Sequence, residues 1–356
     1  MTTKLEALVG GIITGRWRSQ CLYAGVKLGL FDIMSTTEPK AIADIAKKAE
    51  VDRDMSYRLL RALASLDLLK EIVPTDKNGS PRREKSHFQI TKAGSLLQTD
   101  HPKSMAGILL LEEGPEHYAL WTHLPDMIKD GKQNAFLREY GKGAFDYAAD
   151  SPEYDKTFNL AMSSYSRTQS ESVQNALRNH DFSKAQTACD IGGGHGYNLS
   201  YFLQNNPHIQ QGIVFDQPIV MENEERHLAK SMGVEGRCTY VGGDMFQSSS
   251  IPKADIYFLK LIIHDWNDEE CRQILDNVYQ SASPGARIFI CDHVIPDPNI
   301  PSLAPFFDLH MACWGTGLER TESELRDLLV GSGWDYVGCF QPEGGRVMSA
   351  TEGIKA

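Results

Sequence analysis

The run Asp190-Ile191-Gly192-Gly193-Gly194-His195-Gly196 constrains this chain more than any other segment, because an apolar β-like stretch, Thr187–Ile191, ends in it and a helical pattern leaves it. A strand that closes on glycines and opens a helix sets backbone N–H groups and a helix N-terminus beside a ligand, so a nucleotide-type ligand is implied. The dinucleotide fingerprint G-x-G-x-x-G fails at its third glycine. Counting on from Gly192 and Gly194 gives Tyr197, and from Gly194 and Gly196 gives Leu199. Apolar runs then alternate with helical patterns: Gln211–Phe215, Cys238–Val241, Ile256–Lys260, Arg287–Val294, Trp334–Phe340 and Val347–Thr351. This alternation predicts an α/β, Rossmann-like domain with a mostly parallel sheet, closed by an antiparallel hairpin at Glu343-Gly344-Gly345-Arg346.

The strand ends narrow the ligand. Asp216 closes Ile213-Val214-Phe215-Asp216, where a carboxylate can accept both ribose hydroxyls. Asp244, in Gly242-Gly243-Asp244-Met245-Phe246, can accept an adenine amino proton while Met245 packs on the ring. A single strand-end Asp is equally a cap or turn residue. Three in register, Asp190, Asp216 and Asp244, with no basic partner for a phosphate, describe S-adenosylmethionine, whose adenosine needs acceptors and whose sulfonium is positive. The expected cofactor-binding set is Asp190, Gly192, Gly194, Asp216, Asp244, Met245 and Lys260.

Residues 1–100 read differently. Thr37 can cap a helix starting at Glu38-Pro39, Asp52 can cap Met55–Leu66, and two β-like pieces, Lys70–Thr75 and Ser86–Thr91, flank the polar Asp76–Lys85. Helix, helix, hairpin is a winged-helix outline. The candidate recognition helix mixes Asp52, Asp54 and Asp67 with Arg53, Arg58 and Arg61, so no cationic face stands out and nucleic-acid binding is not expected. The net charge of -11 agrees, and it is uneven. Residues 1–100 hold sixteen Lys and Arg against twelve Asp and Glu, net +4, leaving 20 against 35, net -15, for the remainder. Such an acidic part suits a neutral or cationic small molecule. The opening segment, Leu5 to Met34, carries apolar residues on more than one face, as a helix buried against a partner does, although packing on its own winged helix is the alternative. No apolar run reaches the ~20 residues that cross a bilayer, so no membrane partner and a cytoplasmic protein are expected. Seven scattered cysteines without a C-x-x-C pair give neither a disulfide framework nor a zinc site.

The motifs DIGGGHG, FDQP, GGDMF, LKLIIHDWNDEEC, PGARIFICDHVIP and GLERTESE, in this order over nearly the whole chain, resemble the small-molecule O-methyltransferases. That family includes plant caffeic acid and flavonoid enzymes, animal hydroxyindole O-methyltransferase and bacterial antibiotic-tailoring enzymes. The resemblance implies a homodimer through the N-terminal winged helix, S-adenosylmethionine as cofactor and an aromatic hydroxylated small molecule as acceptor. It implies His264 of the HDW motif as general base, with Asp292 and Glu319 as the acids flanking its ring, and no metal. It places substrate-wall residues at Phe158, Met162, Tyr165 and Met311, with His310 beside them, although an aromatic and Met stripe at helical spacing is equally core. Asp292 stands where the family commonly has Glu, and His195 is bulkier than the small residue expected in the glycine loop. The resulting organisation is a winged-helix dimerisation domain over 1–100, helical linker and substrate-pocket helices over 101–178, and a cofactor-binding catalytic domain over 179–356. Two other readings stay open, a winged-helix regulator that senses the cofactor or a metabolite, and a methyltransferase fold used for other chemistry.

Overall fold

The computed structural model describes residues 3–222, 224, 227–343 and 348–356. The chain divides into two compact units, Met1–Ala119 with Phe145–Tyr165, and Leu120–Ala144 with Ser166–Ala356. The helical stretch 101–178 is therefore shared between them, and its longest helix, Pro152–Ala176, runs from one into the other.

In the first unit, β1 (Lys40–Ala41) leads into helices Ile42–Ala49 and Arg53–Ala64, and β2 (Leu69–Ile72) and β3 (His87–Ile90) come after them, the three strands forming an antiparallel sheet in the order β1-β3-β2. This is the winged-helix outline. Asp52 caps as expected, its carboxylate accepting from Met55 N–H at 2.8 Å. Thr37 does not: the helix starts at Ile42, since Pro39 favours extended backbone before it and Lys40 and Ala41 pair with Phe88 and His87. The core joins Val26, Leu30 and Phe31 to Ile45, Leu60, Leu63 and Phe88. The apolar opening segment is thus split. Its second half fills its own unit's core, whereas Leu5, Leu8, Ile12, Ile13 and Trp17, on helices Lys4–Ile13 and Gly15–Lys27, are exposed.

The second unit is a seven-stranded sheet. Its strands are β4 (Thr187–Ile191), β5 (Gln211–Asp216), β6 (Cys238–Gly242), β7 (Ile256–Lys260), β8 (Arg287–His293), β9 (Asp335–Phe340) and β10 (Met348–Ile354). Their order is β6-β5-β4-β7-β8-β10-β9, and β10 alone runs antiparallel to its neighbours, inserted between β8 and β9. The expected hairpin residues Gly344–Arg346, and Val347 at the expected start of the last strand, lie outside the described residues. Trp334, expected in a strand, is instead a buried anchor whose Nε1 donates to Leu275 O at 3.2 Å.

Successive residues of the central strands enter opposite cores. Cys189, Ile191, Tyr257, Leu259, Ile288 and Ile290 face one; Ala188, Ile256, Phe258, Phe289 and Cys291 face the other. Burial on both faces explains why these strands read as unbroken apolar runs. Because β5 and β7 lie on opposite sides of β4, the strand order reverses at β4, and the glycine loop leaves its C-terminal end, where open parallel sheets place their ligands.

A close backbone approach gives a stability test in the first unit. A Cβ on Gly94 would stand 2.1 Å from Leu68 O, a backbone atom that cannot swing aside. Gly94→Ala is expected to cost about 1 to 3 kcal/mol in denaturant unfolding, and an unchanged midpoint would contradict this packing.

Candidate active site

Four of the expected cofactor residues meet at the end of β4. Gly192, Gly194 and Gly196 all have positive φ (66°, 55° and 83°), a conformation that side chains with a Cβ resist. The loop they form is tied to β5: Gly192 and Gly193 N–H donate to Phe215 O at 2.8 and 3.2 Å, and Gly194 N–H donates to Asp216 Oδ2 at 2.9 Å. Asp216 is half-buried, so beyond holding the loop it keeps lone pairs for a ligand hydroxyl. Asp190 is fully buried, with Oδ1 accepting from Asn198 Nδ2 at 3.2 Å and Oδ2 left without a partner. Burial pushes its pKa up to about 7 against the pull of the nearby Lys260 charge, while burial holds the Lys260 ammonium below its ordinary value. Lys260 Nζ also reaches Gln169 Oε1 at 3.5 Å.

An unpaired buried acceptor beside open loop backbone fits a ligand bearing a positive amino group and ribose hydroxyls. The residues present therefore fit S-adenosylmethionine. Asp244 and Met245 are used more locally than expected. Asp244 is exposed, and its carboxylate accepts from Phe246 N–H at 2.9 Å and Gln247 Nε2 at 3.2 Å within its own turn. Met245 packs on the core beneath the sheet.

His264 sits in the short turn Ile263–Asp265 just beyond β7 and is buried. Its Nδ1 lies 2.8 Å from Glu319 Oε1, and its Nε2 lies 3.5 Å from Asp265 Oδ1. A carboxylate on Nδ1 requires that nitrogen to carry the hydrogen, which leaves the Nε2 lone pair free in the neutral ring. Burial by itself lowers the ring's pKa. The Glu319 hydrogen bond and the charges of Asp292, Asp265 and Glu319 outweigh it and carry the pKa up to about 9. Burial also raises Asp292, to about 7, and raises Glu319 and Asp265, so the cluster holds protons that free carboxyls would have lost.

Asp292 departs from its expected place on the ring. Its Oδ1 accepts from Leu261 N–H at 3.1 Å, and Leu261 has φ 54°, a left-handed conformation unusual for a branched side chain. The same N–H donates to Cys291 O at 3.0 Å, so the neighbouring strand's backbone and the shorter acid share the bend between β7 and His264, and Asp292 acts on the ring through its charge.

Phe307, which the sequence reading missed, stands nearly parallel to the His264 ring (4°, centroids 6.4 Å apart) and packs on His293 and His310 at 4.1 and 5.4 Å. It lies on helix Ala304–Trp314 one turn before Met311, on the helix that also carries His310. Met311 is buried and His310 stacks on Trp121 at 6.4 Å. Phe158, Met162 and Tyr165 belong to the first unit. There Phe158 packs on Phe145 and Tyr154, and Tyr165 OH donates to Glu112 Oε1 at 2.8 Å. Three more residues were not singled out in the sequence, although Asp265 and Arg320 fall inside the HDW and GLERTESE motifs. Tyr240 OH donates to His195 O at 3.1 Å and stacks on His227, bracing the glycine loop from behind. Asp265 faces Nε2, and Arg320 grips the His264 turn.

Comparison with known proteins agrees with this geometry. The O-methyltransferase domain family matches residues 121–335, and the O-methyltransferase dimerisation domain matches residues 11–100. Phenazine O-methyltransferase PhzM of Lysobacter antibioticus is 34% identical over 331 residues, covering 93% of this chain and 91% of the relative. O-demethylpuromycin-O-methyltransferase of Streptomyces alboniger is 33% identical over 346 residues, covering 96% and 86%. Human N-acetylserotonin methyltransferase in complex with SAM superposes with a TM-score of 0.85 at 26% identity, over 99% of this chain and 98% of that one. The chain belongs to the O-methyltransferase family, and its cofactor is S-adenosylmethionine.

Asp216 holds the loop through Gly194 N–H; for its expected role as acceptor of the ribose hydroxyls, Asp216→Ala is expected to weaken cofactor binding roughly 100-fold, about 2 to 3 kcal/mol. Calorimetry would read this directly, and an unchanged affinity would remove the assignment.

Proposed function

We propose that this protein methylates a hydroxyl of an aromatic small molecule of secondary metabolism, with His264 as general base and the cofactor held by Asp190, Gly192, Gly194, Asp216 and Lys260. The observation that carries the base assignment is the buried 2.8 Å contact of His264 Nδ1 with Glu319, which fixes the tautomer and leaves Nε2 as the acceptor. Bound S-adenosylmethionine supplies an electrophilic methyl group on a positive sulfur. The chain's own part is to hold the acceptor hydroxyl in line, exclude water and take its proton at Nε2.

The raised basicity of His264 matters here. A phenol of pKa ~10 facing an ordinary imidazole of ~6.5 is uphill by about 5 kcal/mol if ionised first. A ring with a pKa of about 9 narrows that gap to about 1.4 kcal/mol. As the proton arrives at Nε2, Asp265 at 3.5 Å and Glu319 on the other nitrogen stabilise the imidazolium. Asp265 is the more exposed of the two, which gives the proton a way out to solvent. An aromatic acceptor is supported by the flat face of Phe307 parallel to His264 and by the phenazine enzyme among the relatives. His310 and Met311, on the helix that carries Phe307, are the further walls we assign to it.

We also assign the assembly as a homodimer formed through residues 1–100, since the exposed face Leu5, Leu8, Ile12 and Ile13 lies in or beside the region that matches the dimerisation domain. Seven free cysteines fit a reducing compartment, and we assign the enzyme to the cytoplasm.

Three outcomes test this reading. His264→Ala is expected to keep cofactor affinity and lower turnover by roughly 10² to 10⁴. The loss shrinks for acceptors already ionised at the assay pH, with product read by mass over a panel of phenols, and no loss for any acceptor would sink the mechanism. The base form of His264 accumulates as pH rises, so turnover should climb through about pH 9. Glu319→Gln removes a group that raises the ring's pKa, and the rising limb should move to lower pH; a limb that stays in place would contradict the Glu319 contact. Finally, Leu8→Glu with Ile12→Glu should convert a dimer to monomer by light scattering, and a dimer that survives both charges would rule out this face.

A further inference from the structure

The turn that bears His264 is gripped from one side by a single buried side chain. Arg320 is 2% exposed at its side chain and follows Glu319 directly. Its Nη1 donates to Ile263 O at 2.9 Å and its Nη2 to Trp266 O at 2.8 Å, the carbonyls before and after the pair His264-Asp265. Its Nε and Nη2 reach Asp268 Oδ1 at 3.0 and 2.8 Å, at the start of the next helix. The backbones are laced together as well. Leu318 N–H donates to His264 O at 2.8 Å, and Ile295 N–H donates to Arg320 O at 3.0 Å. A Cβ on Gly317 would stand 2.5 Å from His264 O, so the two segments are as close as a glycine permits.

We propose that Arg320 is a positioning residue for the reaction: its guanidinium spans the turn bearing His264 and keeps Nδ1 in register with the Glu319 carboxylate. This rests on the reading of His264 as the base. Two carbonyls three residues apart and a carboxylate must be met at once, which the rigid fork of five donors does and a lysine ammonium does not. Cys271 Sγ lies 3.3 and 3.4 Å from the same two carbonyls, a weak donor that cannot replace the fork. The fork also supplies a fixed positive charge that pairs with Asp268 and acts on Asp292, one of the acids, with Asp265 and Glu319, whose charges act on the ring. Because Glu319 and Arg320 are neighbours on one short segment, a shift of the fork is a shift of the carboxylate.

The test compares wild type with Arg320→Lys in histidine-labelled protein, following the His264 ring by nitrogen NMR across pH, alongside steady-state rates. Arg320→Lys should fold, bind S-adenosylmethionine within about twofold of wild type, and lose roughly 10-fold to 100-fold in kcat, the scale of a small misplacement of a reacting group. Its His264 titration should move toward that of Glu319→Gln, and the rate loss should shrink with an acceptor ionised beforehand. A purely structural role would lower both acceptors equally and leave the ring's titration in place, and that result overturns the proposal. Asp268→Asn, at a side chain 57% exposed, loosens the same fork without emptying it and should shift titration and kcat in the same direction by less. It serves if Arg320→Lys does not fold, and an unshifted titration there overturns the proposal equally. The base reading fails separately: His264→Ala would then cost nothing, while the titration in Arg320→Lys still reports the geometry.

Discussion

The 2.8 Å contact between His264 Nδ1 and Glu319 Oε1 joins two segments 55 residues apart in a place with almost no access to water, and the rest of the site is arranged around what that burial demands. A carboxylate and an imidazole removed from solvent must satisfy each other, because an unpaired charge there costs several kcal/mol. Their pairing fixes the tautomer, and the tautomer decides which nitrogen faces the chemistry. The backbone follows the same requirement: the 263–266 turn and the 317–320 segment are joined by main-chain bonds, by Arg320 and by the absence of a side chain at Gly317.

Crowding acids around one ring has an electrostatic consequence. Asp265, Asp292 and Glu319 together outweigh the effect of burial on His264, so the ring becomes a stronger base than free imidazole and a scarcer one at neutral pH. Burial raises the acids themselves, and the neighbouring negative charges add to the effect. Asp292 shows how one residue serves both ends. It adds charge near His264, and through Leu261 N–H it holds a left-handed bend that a leucine would not adopt unaided.

At the cofactor end the logic is reversed. Asp190 is buried with one oxygen unpaired, a cost that makes sense where a ligand provides the missing donor. The glycine loop is rigid in its own right, since Phe215 O and Asp216 hold it from the front while Tyr240, through His195 O, holds it from behind.

Much of this was legible in the sequence, for reasons that are local. Apolar runs buried on both faces mark strands, and glycines that must take positive φ mark the loop; these need no knowledge of what lies across the fold. The motif order also located His264, Asp292 and Glu319. The meeting of His264 and Glu319 across 55 residues was implied by the family resemblance, but residue type and spacing did not supply the other relations across distance. Sequence could not tell that Asp292 reaches Leu261 rather than the ring, since one methylene decides that only when β7 and β8 lie side by side. Nor could it tell that Asp244 would spend its carboxylate on its own turn, or that Phe307 would lie parallel to His264. Even Thr37, a sound cap by composition, was overruled when β1 paired with β3. Residue type and spacing determine what a segment can do, but direction, burial and partner are set by segments remote in the chain, and those decided which acids touch the histidine and which only act on it through their charge.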